Sequence, residues 1–486
     1  MTVKTDASST WTTWSAINWQ AVEIQVKQLQ MRIAKAIREG NRRKAQSLQW
    51  LLTHSYYAKL LAIRRVTQNK GRNTAGIDGI VWRTPNQKLS AVKQLKRKGY
   101  QPLPLKRIYI PKKNGKLRPL SIPPMRCRAM QALHLLALEP IAETMADKNA
   151  YGFRPKRSCA DAIGQCFIAL AKKVSGTWIL EGDIKSCFDK IGHPWLLDNI
   201  LMDKLILSKW LKAGYIEQGK LYPTNEGTPQ GSIISPTLLT LTLAGLEDAI
   251  LASVNQYRDR VHIATYADDF IITGKTREIL EETVQPIVEQ FLKERGLELS
   301  EEKTLITHID NGFNFLGFNV RKYKGKLLIK PARDNVTAFL NNIREIVKSR
   351  DSIKTEDLIN LLNAKIIGWA NYYKHVVSKA IFSKVDSQIF SIIWRWAKRR
   401  HPNKSKSWIQ SKYFCRLGNA NWVFNAGMVY HQGRYKLLHL IRANSIAIVR
   451  HIKIRAEANP YDPKHNEYFE KRRLRNKSKY MEVQCI

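Results

Sequence analysis

The sequence lacks several features that mark common protein classes. Its 6 cysteines include no Cys-x-x-Cys pair, which argues against a zinc site and against a disulfide framework. No apolar stretch approaches the roughly 18 residues that would span a membrane, and Met1–Thr13 has no apolar segment of the signal-peptide kind. We therefore expect a cytoplasmic protein, in the bacterial cytosol or associated with the nucleoid, and no membrane partner.

Acidic residues are scarce relative to basic ones. Lys plus Arg number 81 against 40 Asp plus Glu, a formal net charge of +41 that repels itself unless a polyanion neutralises it. A small basic protein such as a ribosomal component is the alternative, but 486 residues with 44% hydrophobic content leave room for an enzyme of several domains. The composition therefore favours a folded nucleic-acid-binding protein.

The few acids include an adjacent pair, Asp268 and Asp269. They lie between the apolar runs 261–265 and 270–273, which predict two short strands meeting at an acidic tip. Two like charges at this spacing need solvent or a cation, and Mg²⁺ prefers carboxylate oxygens. Taken alone, such a pair is more often a solvated hairpin tip.

A basic hairpin is predicted upstream, at 107–120. Alternating apolar residues flank Asn114-Gly115, a strong turn signal. Lys112 and Arg118 fall on its opposite arms, where both can reach one triphosphate. The alternative is a charged strand edge protected against aggregation.

Two further blocks complete the pattern. A strand over 178–184 ends near Asp183, and the glycine-rich segment 226–236 predicts a tight loop followed by a helix that Ser235 caps and that continues towards Ala249. Two-metal phosphoryl transfer needs carboxylates from different strands around two ions roughly 4 Å apart. Asp183 and the acidic pair satisfy this if their strands are neighbours in one antiparallel sheet, and the order of blocks is that of a template-directed polymerase.

Helical periodicity dominates both ends of the chain. It predicts one helix ending near Gly40, a second over 44–66, and a largely helical composition from Asn335 onward. Cations interleaved with aromatic residues suit RNA, where rings stack on bases and cations meet phosphates. The predicted RNA-binding residues are Arg154, Lys374, Arg395, Lys398, Arg399 and Arg400. We interpret Trp369 and Trp396 as core residues.

These blocks resemble a known family. Asp183 with Phe188, Thr-Pro-Gln-Gly-Ser, Tyr-Ala-Asp-Asp-Phe and Phe-Leu-Gly look like the successive blocks of reverse transcriptases, in order, from about 71 to 323. The amino-terminal helices, Tyr-Gly-Phe-Arg, Gly-Trp-Ala-Asn-Tyr-Tyr and the following basic helix look like group II intron reverse transcriptase/maturases. The resemblance implies an α+β right-hand polymerase with an antiparallel ferredoxin-like palm sheet and a helical thumb or maturase domain.

The resemblance also implies roles. Asp183, Asp268, Asp269 and the Ile184 carbonyl would hold two Mg²⁺ ions, and Lys303 would protonate pyrophosphate. Phe188 would exclude a ribose 2′-hydroxyl, and Gln230, Lys112 and Arg118 would bind the dNTP. Relatives with an HNH-type endonuclease carry paired cysteines, and this chain has Cys485 alone near its end, so no DNA cleavage is expected from it.

The resemblance predicts four regions: an amino-terminal helical extension (1–75), fingers and palm (76–325), thumb/maturase domain (330–415) and a basic DNA-binding region (420–486). The expected function is RNA-directed DNA polymerisation with intron splicing and mobility. Expected partners are group II intron RNA, an RNA template with a DNA or RNA primer, target DNA and dNTPs, with a homodimer left open. Two alternatives remain: a reverse transcriptase domesticated for defence or spacer acquisition, and an RNA-binding splicing cofactor without polymerase activity.

Overall fold

The computed structural model describes residues 13–111, 115, 117–350, 352–431 and 434–484. The chain forms two compact units. Unit one contains the described parts of Met1–Ala162, Trp178–Ile306 and Ile454–Arg473, and unit two those of Ile163–Thr177, Thr307–Lys453 and Leu474–Ile486. No helix within the described residues is long and apolar enough to cross a membrane.

Unit one begins with helices and encloses two sheets. Its α-helices, with α6 continuing into unit two, are α1 (Trp19–Arg38), α2 (Arg42–His54), α3 (Tyr56–Gln68), α4 (Pro85–Gln94), α5 (Met125–Met145), α6 (Cys159–Leu170), α7 (Cys187–Lys190), α8 (His193–Asn199), α9 (Lys204–Leu211), α10 (Ser235–Thr242), α11 (Leu246–Ala252), α12 (Gln256–Asp259) and α13 (Gln285–Lys293). A π-helix, Ile279–Val284, precedes α13. Its strands, with β8 reaching the unit boundary, are β1 (Leu105–Pro111), β2 (Leu117–Ile122), β3 (Trp178–Asp183), β4 (Tyr215–Glu217), β5 (Lys220–Tyr222), β6 (His262–Tyr266), β7 (Asp269–Gly274) and β8 (Leu305–His308).

Unit two combines helices with two three-stranded sheets. Its strands are β9 (Phe313–Phe315), β10 (Phe318–Tyr323), β11 (Lys326–Pro331), β12 (Phe414–Leu417), β13 (Ala420–His431) and β14 (Arg434–His439). Its helices are α14 (Arg333–Lys348), α15 (Thr355–Tyr373), α16 (Lys379–Arg400) and α17 (Lys406–Tyr413), and α18 (Asn466–Gln484) begins in unit one and ends here. The sheet β12-β13-β14 is a correction to the largely helical composition predicted beyond 335.

The amino-terminal helices pack around α5, which is buried along most of its length and contacts α1, α2, α3 and α10. Asn18 caps α1 through a hydrogen bond from the Ala21 amide, and the spaced apolar residues of α1 lie in the core, as predicted. The predicted helix over 44–66 is wrong as a single element. It divides into α2 and α3 at Ser55, whose φ of −63° and ψ of 132° are extended.

The helix after the glycine-rich loop is also shorter than predicted. α10 ends at Thr242, and Gly245, with a φ of +93°, directly precedes α11. Ser235 is not the cap. It is the first helical residue, and its hydroxyl donates a hydrogen bond of 3.1 Å to the Pro229 carbonyl.

Two sheets position the candidate site in unit one. The first has the order β2-β1-β4-β5, and its β1–β2 hairpin is antiparallel, as predicted, with Ile110 opposite Arg118. The second has the order β6-β7-β3-β8, in which β7 pairs antiparallel with both β6 and β3. Alternating apolar residues from β3 and β7, including Leu180 and Ile272, are buried against the helices.

Candidate active site

Sheet register brings the predicted carboxylates together. Asp183, the last residue of β3, lies opposite Asp269, the first residue of β7. The β6–β7 hairpin pairs Tyr266 with Asp269, which leaves Ala267 and Asp268 as its two-residue turn. Ala267 has a φ of +58°, a left-handed conformation that an L-residue adopts at some cost in a tight hairpin. The three carboxylates therefore lie at adjacent strand ends of one antiparallel sheet.

These carboxylates are crowded. Burial, together with the charges of Asp268 and Asp183, raises the pKa of Asp269 to about 7. Burial and the Asp183 charge also raise the pKa of Asp268, and the positive charges of Arg118 and Lys303 oppose that increase. The cluster therefore carries more negative charge than its protein surroundings compensate.

Among the described residues, Lys303 forms an ion pair with the cluster. Its Nζ lies 2.8 Å from Oδ2 of Asp183, and this hydrogen bond raises the pKa of the lysine. The segment that carries it is tied to β3, because the Ser300 amide donates to the Asp183 carbonyl and Ile184 forms a bridge with Leu299. Ile184 is buried, with 2% of its surface exposed.

The donor set suits a hard divalent cation. Its ligands would be carboxylate oxygens, which Mg²⁺ prefers, and their mutual repulsion would be relieved by a bound ion. Within the described part of the chain, no three His, Cys, Asp or Glu side chains are already gathered in the geometry of a metal site. The chemistry of the donors therefore fits the group that the sequence implies, while the coordination itself stays a prediction.

A loop that sequence reasoning assigned to RNA supports the acidic turn instead. The Tyr151 amide donates to the Thr265 carbonyl over 2.9 Å, which adds this loop to the edge of β6. A Cβ on Gly152 would lie 2.1 Å from the Ala267 nitrogen, so only glycine allows this approach. The glycine of Tyr-Gly-Phe-Arg is the sequence signal that indicates this close approach.

Arg154 requires a correction, because it is not placed to contact RNA directly. Its side chain is 4% exposed and forms a two-pronged ion pair with Glu143. It also donates to the Ala150 carbonyl over 2.8 Å. Arg157 forms a second ion pair with the same fully buried Glu143 carboxylate. Arg154 therefore holds the loop's conformation.

The glycine-rich loop connects two predicted binding elements. Gln230 Nε2 donates to Oδ2 of Asp189 over 3.1 Å, and its carbonyl accepts a 2.8 Å hydrogen bond from the Ser121 amide of β2. The Thr228 amide donates to the Phe188 carbonyl of α7. The loop thus fixes the position of Phe188 relative to the basic hairpin.

Phe188 is half-buried beside a second ring. It meets Phe153 edge-to-face, with centroids 6.0 Å apart, and Phe153 is 47% exposed at a φ of +59°. Arg118 is exposed on β2 and close enough to Asp268 to influence its pKa. Lys112, the other predicted triphosphate ligand, lies outside the described residues.

The remaining predicted RNA-binding residues lie in unit two. Arg395, Lys398, Arg399 and Arg400 are exposed on the last turns of α16, and Lys374 is half-buried, which lowers its pKa. Trp396 is 1% exposed, and Trp369 stacks on Phe339 with centroids 4.7 Å apart, so both belong to the packing as predicted.

Comparison with known families defines the class of protein. Residues 110–320 match the model "Reverse transcriptase (RNA-dependent DNA polymerase)", and residues 14–95 match "N-terminal domain of reverse transcriptase". The fold is therefore an α+β right-hand polymerase of the reverse transcriptase class, and the chain is an RNA-directed DNA polymerase. Telomerase from Candida albicans aligns over 65% of each chain at 12% identity and a TM-score of 0.38.

The residues that follow the reverse transcriptase region identify the family within this class. Residues 336–414 match "Group II intron, maturase-specific domain". The chain is 30% identical to the group II intron-encoded protein LtrA of Lactococcus lactis subsp. cremoris over 414 residues, covering 64% of this chain and 68% of LtrA. It is 33% identical to protein YkfC of Escherichia coli (strain K12) over 310 residues, or 54% of this chain and 80% of YkfC. The chain belongs to the family of group II intron-encoded reverse transcriptase/maturases, and RNA is its partner.

Proposed function

We propose that Asp183, Asp268 and Asp269 hold two Mg²⁺ ions, with the Ile184 carbonyl as a further ligand, and that DNA synthesis takes place there. The observation that carries this proposal is the register of Asp183 opposite Asp269, beside the turn that presents Asp268. The bound ions would supply an activated primer 3′-hydroxyl and a braced leaving group.

The chain's own residues orient the nucleotide. Arg118 and Lys112 bind the triphosphate, and Gln230, held by Asp189, lines the pocket. Phe188, fixed by the Thr228 hydrogen bond and by Phe153, closes the space that a ribose 2′-hydroxyl would need. Lys303 lies at Asp183 with a protonated ammonium, ready to donate its proton to pyrophosphate.

Primer extension on an RNA template with Mg²⁺ and dNTPs tests the site. Asp268→Asn keeps the shape of the turn but removes a ligand charge, so we expect at least about a thousandfold loss of rate. Asp198→Asn, at an exposed position on α8, is the matched control and retains activity. Extension by the Asp268 variant at the rate of an active wild type would contradict the assignment of these carboxylates. Absence of extension by the wild type itself would favour a splicing cofactor without polymerase activity.

We further propose that the exposed cations of α16 bind the intron RNA within a thumb/maturase region at 330–415. Regions 1–75, 76–325 and 420–486 would be the helical extension, the fingers and palm, and the part that meets target DNA. Changing Arg395, Lys398 and Arg399 to Gln should weaken intron binding and splicing and leave primer extension intact. The control is a triple Gln variant at the exposed residues Lys212, Lys220 and Lys293.

Equal intron binding by the two triple variants would remove α16 from the RNA interface. Wild-type splicing failure with active primer extension would instead favour a domesticated reverse transcriptase. Self-association into a homodimer remains a prediction that light scattering with and without RNA tests.

A further inference from the structure

Unit one contains a cavity of about 460 Å³ that shares no lining residue with the carboxylate cluster. It is formed by α2, α3 and α5, the segment 95–98, and Met202 and Asp203 before α9. Its volume lies within the range of about 300 to 1,000 Å³ typical of small-molecule sites.

The cavity is strongly cationic. Lys59, Lys96, Arg97 and Lys98 line it, against Asp203 as the single carboxylate among its lining residues. Arg97 forms an ion pair with that carboxylate, which therefore neutralises the arginine. Within the part of the chain that the structure describes, none of the three lysines forms an ion pair, so their positive charge in the cavity lining is uncompensated there.

Among the three lysines, Lys59 gives the clearest evidence for an anion site. It is half-buried on α3, and burial together with the charge of Lys96 lowers its pKa. Among the described residues, no carboxylate forms an ion pair with Lys59. Two neighbouring lysines, one of them partly desolvated, are a costly arrangement that a bound anion would make favourable.

Trp50 and His54 of α2 form an aromatic surface in the lining of the cavity. Trp50 is 61% exposed and stacks on His54, with ring centroids 4.2 Å apart and planes 25° from parallel. A single exposed tryptophan on a helix is ordinary surface variation. A rigid indole that borders a cavity lined by lysines offers a flat apolar face beside a cationic one.

The cavity also contains a neutral hydrogen-bonding group. His134 of α5 is 7% exposed and meets Trp210 edge-to-face at 5.4 Å. Burial lowers the pKa of its imidazole to about 4, so the ring is uncharged near neutral pH. An uncharged imidazole can offer one hydrogen bond to a base edge without adding repulsion.

We propose that this cavity binds a nucleotide unit, with its phosphate on Lys59 and Lys96 and its base on the Trp50 ring. The site is separate from the one at which dNTPs react and does not depend on the polymerase proposal. The unit can be a free nucleotide or one residue of an RNA strand, because both present a phosphate beside a stackable base.

Photo-cross-linking locates the site and distinguishes the two sources. The full-length protein is labelled with 8-azido-AMP, or with a short 5′-phosphorylated oligoadenylate carrying the same base, and the labelled peptides are identified by mass spectrometry. We expect label on the peptide containing Trp50, and competition by AMP but not by adenosine or inorganic phosphate. Label from 8-azido-AMP assigns a free nucleotide, and label from the oligoadenylate alone assigns an RNA strand.

A binding titration with the probe that labels the protein measures how much each contact contributes to affinity. Lys59→Gln should weaken binding about tenfold and Lys59→Arg should restore it, because the interaction is charge-assisted. Trp50→Leu should weaken binding about tenfold through lost stacking. Lys44→Gln, at an exposed position on α2 outside the lining, is the control. All variants should keep the melting temperature and primer-extension rate of the wild type.

Two results would overturn the proposal. One is the absence of label on the Trp50 peptide with either probe. The other is equal affinity of the wild type, Lys59→Gln and Trp50→Leu for the probe that labels. Since primer extension is measured in the same preparations, failure here is distinguishable from failure of the polymerase site.

Discussion

Two charge clusters in unit one show opposite solutions to the same electrostatic problem. Glu143 is fully buried and meets two arginines, Arg154 and Arg157, whose side chains are 4% and 1% exposed. Asp183, Asp268 and Asp269 repel one another, and the positive charges that act on them are Lys303, which bonds Asp183, and Arg118. The first cluster is compensated within the protein and fixes a loop. The second is under-compensated, which is the condition expected where an external cation completes the charge balance.

The largest expected stability effect comes from breaking the compensated cluster. Glu143→Gln leaves two buried guanidinium groups without their carboxylate, so we expect a loss of about 3 to 5 kcal/mol in the free energy of unfolding. Urea denaturation measures it, with Glu139→Gln as a milder comparison on the same helix, because within the described residues Glu139 accepts one hydrogen bond, from the Tyr461 hydroxyl. A loss under 1 kcal/mol would mean that the arginines find water or other partners.

The next effect concerns the contact between the loop and the acidic turn. Gly152→Ala places a Cβ against the Ala267 backbone, so the turn that carries Asp268 must shift. A displacement of about 1 Å at a catalytic group lowers the reaction rate about a hundredfold. Primer extension measures it, and Gly368→Ala is the control because its Cβ would meet no atom within 4 Å. Unchanged activity would show that the turn tolerates displacement.

Bound Mg²⁺ should stabilise the folded protein through the cluster of Asp183, Asp268 and Asp269. It should not act through the Glu143 cluster. At saturating Mg²⁺, about one hundred times its dissociation constant, the wild type should gain about 2.7 kcal/mol relative to a chelator. Asp268→Asn should gain much less, and Glu143→Gln should gain as much as the wild type. Thermal melting in Mg²⁺ and in EDTA makes the comparison, and equal gains in all three proteins would place the metal elsewhere.

The smallest effect is a stabilisation. Asp269→Asn removes one of three crowded carboxylates, so in EDTA the variant should be about 0.5 to 2 kcal/mol more stable than the wild type while losing primer extension. Urea denaturation in EDTA measures this difference. Lower stability would mean that the Asp269 carboxylate has a structural role resembling that of Glu143.

The parts of the fold that the sequence predicted correctly are those with local signals in the sequence. The β1–β2 hairpin followed from alternating apolar residues around Asn114-Gly115, and the ends of β3 and β7 followed from short apolar runs beside the aspartates, which are local signals. The ends of α2 and α10 did not, because the apolar spacing continues past Ser55, whose backbone is extended, and past Gly245, whose φ is positive. The strands between 414 and 439 were not predicted, because their apolar and aromatic composition is compatible with both helices and sheets.

Arg154 was misplaced for a related reason. Its neighbours in sequence are aromatic and basic, which is typical of an RNA-binding loop, but its partner Glu143 lies on the preceding helix and is buried. Local composition reports the type of charge and not whether that charge is already matched. The roles assigned to Asp183, Phe188, Gln230 and Lys303 remain predictions that the experiments above address.

The hydrogen bond between Lys303 and Asp183 has a consequence for the protein in the absence of a divalent ion. Lys303 supplies a positive charge at the strand ends from within the chain, so part of the repulsion between the carboxylates is relieved without a divalent ion. The Asp183 carboxylate that pairs with Lys303 is also one of the residues that would hold an ion, so the lysine and the ion would share one partner.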